Sequence, residues 1–252
     1  MNDDKSDIWL WDVPVACVLL TRVPLPALPD RAFAHSARAV WAYPLVGLLL
    51  GGAVAVLSVV LKALGLPAAV VAGLVLSALV LLTGAMHEDG LADTADGLWG
   101  GQNPARRLDI MKDSRIGTYG VLALVLAMGL RWLGYTDIAW AQLIAALVLS
   151  RAAMPVLMAS LPHARADGLS KSVGRPRRGP VAGAIALALA LAVVLVGPVG
   201  LVAAGGAAVA AGGMAALARA KIGGQTGDIL GATQVVCELV VLFVFVTHNG
   251  GL

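Results

Sequence analysis

Residues 87–97, HEDGLADTADG, gather four acidic side chains in one short segment. Asp89, Asp93 and Asp96 are spaced i, i+4 and i+7, so on a helix their carboxylates share one face. Carboxylates held together repel one another, and a divalent cation relieves that repulsion. Oxygen ligands without a nearby cysteine cluster favour Mg²⁺, with Mn²⁺ as the alternative, over Zn²⁺. The spacing therefore predicts a metal site.

A second segment, residues 105–120, interleaves acids with bases. Asp109 and Asp113 are again four residues apart. The cations around them are Arg106, Arg107, Lys112 and Arg115. Carboxylates that hold a metal beside cations that meet phosphate oxygens are typical of phosphoryl-transfer sites. The alternative is a solvated loop whose acids and bases pair at the surface.

The composition places these polar segments beside a membrane. Of 252 residues, 59% are hydrophobic and 13% are charged, whereas a soluble domain carries roughly 25% charged residues. Apolar runs that approach the ~20 residues needed to cross a bilayer recur along the chain. We expect an all-α, polytopic transmembrane helical bundle forming a single domain, residues 1–252. The seven predicted spans are residues 39–61, 67–86, 117–133, 138–160, 180–197, 199–218 and 233–247.

Two further patterns concern packing. Residues 8–20 are too short to cross a bilayer, and their tryptophans suit the headgroup region, which predicts an interfacial helix. Small residues let membrane helices approach closely, and we expect this at Gly47 and Gly51 and within Gly205–Gly213.

The distribution of Lys and Arg predicts the orientation. Of the 18 basic residues, Lys62 and Arg131 fall near one face, Arg151 falls inside a span, and the rest share the other face. The positive-inside rule makes that richer face cytoplasmic, in the inner membrane. The segments expected on it are the acidic loop 87–116, the basic loop 161–179 and the late Gly-rich segment 222–234.

Two families resemble parts of this pattern. Asp93-x-x-Asp96-Gly97 followed by Asp109-x-x-x-Asp113 is similar to the signature of the CDP-alcohol phosphotransferases, although Ala105 stands where a glycine belongs. The closer resemblance is to the cobalamin synthase family, adenosylcobinamide-GDP ribazoletransferase. The segments that carry it are HEDGLADTADG (87–97), DSRIGTYG (113–120), TRVP (21–24) and the late TGD (226–228) with Gly231-Ala232.

The closer resemblance implies a reaction and its partners. The 5′ hydroxyl of α-ribazole, or the phosphate-bearing form, attacks adenosylcobinamide-GDP, and GMP leaves. The expected partners are a corrinoid nucleotide, ribazole and membrane lipid, with no nucleic acid, and a homo-oligomer is compatible. The resemblance also bears on the role of Glu88. The family is expected to have an apolar residue at this position, so Glu88 is a poor candidate for a metal ligand.

Roles for individual residues follow from the spacing and the resemblance together. The expected metal ligands are Asp89, Asp93, Asp96 and Asp113, with Asp113 and Asp96 also expected to be catalytic. The expected substrate-binding residues are Arg22, His87, Lys112, Arg115, Arg151, Thr226 and Asp228. Structural alternatives to substrate binding stay open. Arg151 could pair with Glu238. Asp228 could serve a Gly-rich turn, and the basic loop 161–179 could contact anionic lipid rather than nucleotide phosphate.

Two other functions compete with this one. A CDP-alcohol phosphotransferase would make phospholipid with similar chemistry. A cation-coupled transporter would use the aspartates as an ion site. Transporters distribute polar groups along a path through the membrane, whereas here the acids cluster in one segment, which favours the enzyme.

Overall fold

A computed structural model of the chain describes residues 10–250. That part of the chain folds into α-helices and contains no β-strand. The first six helices are α1 (Asp12–Leu20), α2 (Asp30–Phe33), α3 (Tyr43–Ala63, preceded by a 3-10 turn at Ala39–Ala42), α4 (Ala68–Thr83), α5 (Met86–Gly100) and α6 (Pro104–Ile110). The remaining helices are α7 (Thr118–Asp137), α8 (Trp140–Ser160), α9 (Leu169–Val173), α10 (Arg178–Val196), α11 (Val199–Ile222) and α12 (Gly227–Asn249).

Within residues 10–250, six helical segments are long and apolar enough to cross a membrane. They are α3 with its 3-10 turn, α7, α8, α10, α11 and α12. These confirm six of the predicted spans. The remaining one, residues 67–86, corresponds to α4, which qualifies only together with α5, and the two helices are bent by 86°. A polytopic helical bundle is confirmed, with six spans or, if the bent pair crosses, seven.

Helix α8 forms the centre of the bundle, because 83% of its apolar stretch is buried inside the protein. It packs against α3, α10, α11 and α12. The α3–α8 crossing is close at two glycines, as predicted: a methyl group on Gly47 would lie 2.4 Å from the Leu147 carbonyl oxygen, and one on Gly51 would lie 2.9 Å from Ile144.

The second glycine-rich stretch behaves differently from its prediction. Within Gly205–Gly213, only Gly206 faces another helix, where a methyl group would lie 3.1 Å from Val240. Methyl groups on Gly205, Gly212 and Gly213 would meet no atom of residues 10–250 within 4 Å. Small residues permit close packing, but Gly205 and Gly212 line a cavity of about 540 Å³ between α8, α10 and α11, so no close helix contact forms at these two glycines.

The acidic segment is not a loop. Helix α4 ends at Gly84, which has a left-handed φ of 64°, and Ala85 follows with a φ of 57°. The chain then re-enters a helix at Met86 and stays helical to Gly100. Helix α5 packs against α12 and α7. The predicted acidic loop 87–116 is therefore mostly two helices, α5 and α6, because helix–helix packing outweighs the low propensity of the glycines.

Two other boundaries differ from the sequence expectation. The last span begins at Gly227, where the Thr226 side chain caps α12 by accepting a hydrogen bond from the Ile229 amide. Asp228 is thus in the first helical turn, not in a loose Gly-rich turn. The predicted interfacial helix begins within residues 1–9, which lie outside the described part, and its remainder corresponds to α1. There Asp12 accepts hydrogen bonds from Arg38 and Trp41.

Candidate active site

Two glycines determine how closely the acidic helix α5 approaches α12. A methyl group on Gly90 would lie 2.8 Å from the Asp228 carbonyl oxygen, and one on Gly231 would lie 3.2 Å from the His87 Cα. Only residues without a side chain allow backbones to approach so closely. The crossing places Asp89 on α5 beside the start of α12.

Three carboxylates meet at this crossing. Asp93 experiences the negative charges of Asp228 and Asp89 and the positive charge of Arg165. Asp89 is exposed and Asp93 is half-buried. Within residues 10–250, neither of these two carboxylates accepts a hydrogen bond or forms an ion pair. They are thus close like charges without a protein partner, which favours a bound cation.

The basic loop reaches the crossing by pairing with the segment before α12. The Ala164 amide donates to the Gln225 carbonyl at 2.9 Å, and the Gln225 amide donates to the Pro162 carbonyl at 2.8 Å. Gly224 permits this contact, since a methyl group there would lie 2.3 Å from the Pro162 oxygen. The pairing brings two segments that are distant in the sequence to one side of the acidic helix.

This backbone pairing positions Arg165 beside the first turn of α12. Its guanidinium donates to the Asp228 carboxylate at 3.0 Å and to the Leu108 carbonyl at 3.1 Å. Its Nε is buried and has no partner among residues 10–250. A buried donor without a partner is costly, and a phosphate oxygen would satisfy it.

His163 lies in the same loop as a neutral donor. Its Nδ1 lies 2.9 Å from the Gln225 side-chain amide nitrogen, and Ser170 donates to the Gln225 side-chain oxygen. An amide nitrogen only donates, so Nδ1 accepts and the ring proton is on Nε2. Burial, with the nearby charges of Lys171 and Arg175, lowers the pKa of His163 below its ordinary value. The imidazole is therefore neutral at pH 7.

These groups surround a cavity of about 220 Å³, which we call the carboxylate pocket. Its polar lining residues are Asp89, His163, Arg165, Asp167, Ser170, Lys171, Gln225, Thr226 and Asp228. Asp93 lies next to it, within range of the charge of Asp228. Two predicted substrate-binding residues, Thr226 and Asp228, line the pocket together with the predicted metal ligand Asp89.

The donor set of the pocket fits a hard divalent cation. Within residues 10–250, no three His, Cys, Asp or Glu side chains form a ready-made metal-binding group. Mg²⁺, however, commonly uses one or two carboxylates and completes its shell with water and substrate phosphate. Asp89, Asp93 and Asp228 supply carboxylates of this kind beside the Arg165 guanidinium.

The structure does not bring Asp96 into the pocket. Its two carboxylate oxygens accept hydrogen bonds from the backbone amides of Gly117 at 2.7 Å and Gly120 at 2.9 Å. These amides belong to the start of α7, where backbone N–H groups lack helical partners. The i, i+4, i+7 spacing was read as three metal ligands, but the third carboxylate caps the next helix.

Asp113 is also placed elsewhere. It is bonded to Arg115 at 2.7 Å, and that contact lowers the pKa of Asp113 to about 2. A carboxylate with so little affinity for protons is a poor general base. The four predicted metal ligands therefore do not converge, and the role of base predicted for Asp113 loses its support. Arg115 forms this pair at the surface and does not line the carboxylate pocket.

Lys112 lies at the rim of the pocket. It forms an exposed ion pair at 2.8 Å with Asp167, and this contact lowers the pKa of Asp167. The segment between α6 and α7 is thereby tied to the basic loop. Exposed pairs of this kind contribute little stability, so Lys112 remains available to a ligand.

Arg151 belongs to a buried ionic network, not to the pocket. Its guanidinium lies 3.4 Å from Glu238, which confirms the structural alternative considered above. Glu238 also accepts a hydrogen bond of 2.8 Å from Arg131, and Arg131 in turn pairs with Glu88. Tyr135, Ser150 and Gln234 complete the network. The Arg131 side chain is only 2% exposed.

Two more predicted substrate-binding residues lie close to the pocket. His87 is buried, and its Nε2 has no partner among residues 10–250. Its ring faces a narrow cavity of about 40 Å³ that Ser170 also lines. Arg22 is exposed and lines a separate cavity on the far side of Met86.

Sequence reasoning missed Arg165, Ser170 and Gln225. Their loops carry no catalytic spacing, and nothing local indicates that residues 162–164 pair with residues 224–225. The available signal was the cluster of cations in the basic loop, which was assigned mainly to topology. Glu88, which was not expected to be a ligand, pairs with Arg131 inside the bundle.

A helical membrane bundle with acids and cations gathered around one pocket defines a class, the integral-membrane enzymes. Within that class the chain belongs to the Cobalamin-5-phosphate synthase family, which it matches over residues 12–246. It is therefore a transferase of cobalamin synthesis, as the sequence resemblance implied. No solved structure matches the chain.

Curated relatives agree along nearly the whole chain. An adenosylcobinamide-GDP ribazoletransferase of Bradyrhizobium diazoefficiens is 45% identical over 249 residues, covering 95% of each chain. One of Azorhizobium caulinodans is 45% identical, covering 92% of this chain and 94% of the relative. One of Mesorhizobium japonicum is 42% identical, covering 92% of both.

Proposed function

We propose that this protein is a Mg²⁺-dependent adenosylcobinamide-GDP ribazoletransferase. It joins adenosylcobinamide-GDP to α-ribazole or its 5′-phosphate, releases GMP and forms adenosylcobalamin or its phosphate. The observation that carries the proposal is the carboxylate pocket, where Asp89 and Asp228 lie beside Arg165 and Asp93 lies next to them. This arrangement suits a substrate that brings a pyrophosphate and a cation together.

The cationic side of the pocket binds the pyrophosphate of the donor. Arg165 offers its unpartnered Nε–H, His163 offers Nε2–H, and Lys171 adds a positive charge. Charge-assisted hydrogen bonds from a guanidinium fix the orientation of a phosphate. The donor is thereby held with its phosphorus atoms beside the acidic helix.

The acidic side of the pocket would hold Mg²⁺ and receives the proton. Asp89 and Asp228 would be its ligands, and the ion would supply neutralisation of the charge that develops on the pyrophosphate. Asp93, half-buried and free of hydrogen bonds from the described residues, is the proposed general base. This reassigns the base from Asp113 to Asp93.

In the transfer step, an acceptor hydroxyl oxygen bonds to the phosphorus that carries the cobinamide. The bond from that phosphorus to the oxygen bridging to GMP breaks, GMP departs with the electron pair, and the hydroxyl proton passes to Asp93. An acceptor phosphorylated at 5′ has no free 5′ hydroxyl. If one mechanism serves both acceptors, the nucleophile is another ribose hydroxyl, and the expectation of 5′ attack is replaced.

The proposed location is the inner membrane, with the pocket facing the cytoplasm. The basic loop that lines the pocket carries five of the chain's cations within residues 163–179, and such loops stay on the cytoplasmic side. Protease accessibility of residues 163–179 in sealed inverted vesicles, compared with right-side-out vesicles, tests the orientation.

The test of function is GMP release by the purified full-length protein supplied with adenosylcobinamide-GDP and α-ribazole. We expect Asp89→Asn, Asp93→Asn and Asp228→Asn each to lower turnover by about 100-fold or more. Asp109→Asn is the matched control, because Asp109 is an exposed acid on α6 outside the pocket. Cation flux without GMP release would instead support a transporter, and transfer from a CDP-alcohol would support the phospholipid enzyme.

A further inference from the structure

A second cavity of about 410 Å³ lies beside the carboxylate pocket. Met86 and Leu169 line both cavities, so these two side chains form a shared wall between them. A transfer between two substrates needs both to be bound at once, one on each side of the reacting phosphorus. Cavities of this volume suit a small ligand.

The lining of the second cavity is amphipathic. Phe33, Leu19 and Val173 provide an apolar side. Arg22 provides a cation, and its guanidinium has no hydrogen-bond or ion-pair partner within residues 10–250. Such a lining fits a ligand with a flat apolar ring at one end and an anionic group at the other.

Arg22 is held in place by the turn between α4 and α5. Its backbone amide donates to the Leu82 carbonyl at 2.7 Å. Its side-chain stem lies against Gly84, where a methyl group would be 2.5 Å from the Arg22 Cγ. This anchoring at the turn that begins the acidic helix distinguishes Arg22 from an unrestrained surface cation.

We propose that the second cavity binds the acceptor and that Arg22 binds its phosphate, so that Arg22 selects α-ribazole 5′-phosphate over α-ribazole. This rests on the proposed function. The apolar base packs near Phe33, and a ribose hydroxyl reaches the donor across the wall of Met86 and Leu169. The reaction is the transfer step given above. The 5′-phosphate of the acceptor serves only for binding and does not react.

The experiment compares both acceptors in steady-state GMP release by the full-length protein in nanodiscs. Arg22→Ala is expected to raise KM for α-ribazole 5′-phosphate by about tenfold or more, with KM for α-ribazole and for adenosylcobinamide-GDP nearly unchanged. Phe33→Ala is expected to raise KM for both acceptors equally, since both carry the base. Arg31→Ala, an exposed cation on the neighbouring helix α2, is the matched control.

The outcomes separate this inference from the function on which it rests. No GMP release by the wild-type protein with either acceptor removes the proposed function itself. Wild-type release with an Arg22→Ala defect of equal size for both acceptors overturns only the role of Arg22. A defect that appears with anionic phosphatidylglycerol nanodiscs, and not with phosphatidylcholine, assigns Arg22 to a lipid phosphate and also overturns it. An unchanged KM for the donor shows that Arg22→Ala is folded.

Discussion

Arg165 donates a hydrogen bond of 3.0 Å to Asp228, a residue 63 positions later in the chain. This contact links the basic loop to the first turn of the last helix and closes one side of the carboxylate pocket. It also leaves the Arg165 Nε buried without a partner among the described residues. The pair therefore offers a phosphate a donor that the protein itself does not use.

Replacement of Arg165 by Ala should weaken donor binding. Loss of a charge-assisted hydrogen bond costs about 1.5–3 kcal/mol, or roughly 10- to 100-fold in affinity. We expect KM for adenosylcobinamide-GDP to rise by that factor. Arg177→Ala, which removes an exposed cation of the same loop that does not line the pocket, should change this KM little. Equal effects in the two variants would assign the loss to general electrostatics.

Removal of divalent metal should stop turnover. EDTA should abolish GMP release, and Mg²⁺, or Mn²⁺ as a second hard cation, should restore it. Asp89→Asn should raise the Mg²⁺ concentration for half-maximal activity by about tenfold or more, whereas Asp109→Asn should not. Undiminished turnover in EDTA would rule out the metal role of the pocket.

Asp96 should behave as a helix cap and not as a ligand. Asp96→Ala leaves the amides of Gly117 and Gly120 without their acceptor and should cost about 1–2 kcal/mol of stability. The folded fraction should retain the wild-type Mg²⁺ requirement. Thermal unfolding in detergent and a metal titration measure the two effects. A variant of wild-type stability with a changed Mg²⁺ requirement would restore Asp96 as a ligand.

The pH dependence of turnover should not depend on Asp113. Its contact with Arg115 lowers its pKa to about 2, so the carboxylate stays ionised throughout the range from about pH 5 to 8. The pH–rate profile of Asp113→Asn should have the same shape as that of the wild-type protein. Disappearance of an acidic limb in this variant would return the role of general base to Asp113.

The buried ionic network should be most sensitive at Glu238, because this carboxylate contacts both Arg131 and Arg151. Removing one partner of a buried ion pair costs about 3–5 kcal/mol. Glu238→Leu should therefore lower the thermal unfolding temperature more than Glu88→Leu, since Arg131 is the only ion-pair partner of Glu88 among residues 10–250. Lys62→Leu, near the end of α3, is the control. Equal losses at both glutamates would contradict this hierarchy.

Hydropathy predicted the spans well because a bilayer imposes length and composition on each crossing helix separately. The bend at Gly84 escaped prediction because it depends on the packing of α5 against α12 and α7. Helical periodicity indicated that the aspartates share a face; Asp89 lines the carboxylate pocket and Asp93 lies next to it. Periodicity could not indicate that Asp96 accepts hydrogen bonds from backbone amides at the start of α7, the nearer of them 21 residues further along the chain.

The pocket itself was only half predictable. The family resemblance indicated Thr226 and Asp228, both of which line it. Arg165 entered through the backbone pairing of two distant loops, a contact that local patterns do not encode. The ion pairs of Arg131 escaped prediction because its partners Glu88 and Glu238 come from other helices.

The order in which the network's charges are synthesised has a consequence for assembly in the cell. Arg131 follows Glu88 by 43 residues and precedes Glu238 by 107. When α7 leaves the ribosome, Glu88 has already been made and α12 has not. We expect Glu88 to pair with the Arg131 guanidinium in the nascent protein until Glu238 is synthesised. Arg131 is then never an unpaired charge in the membrane.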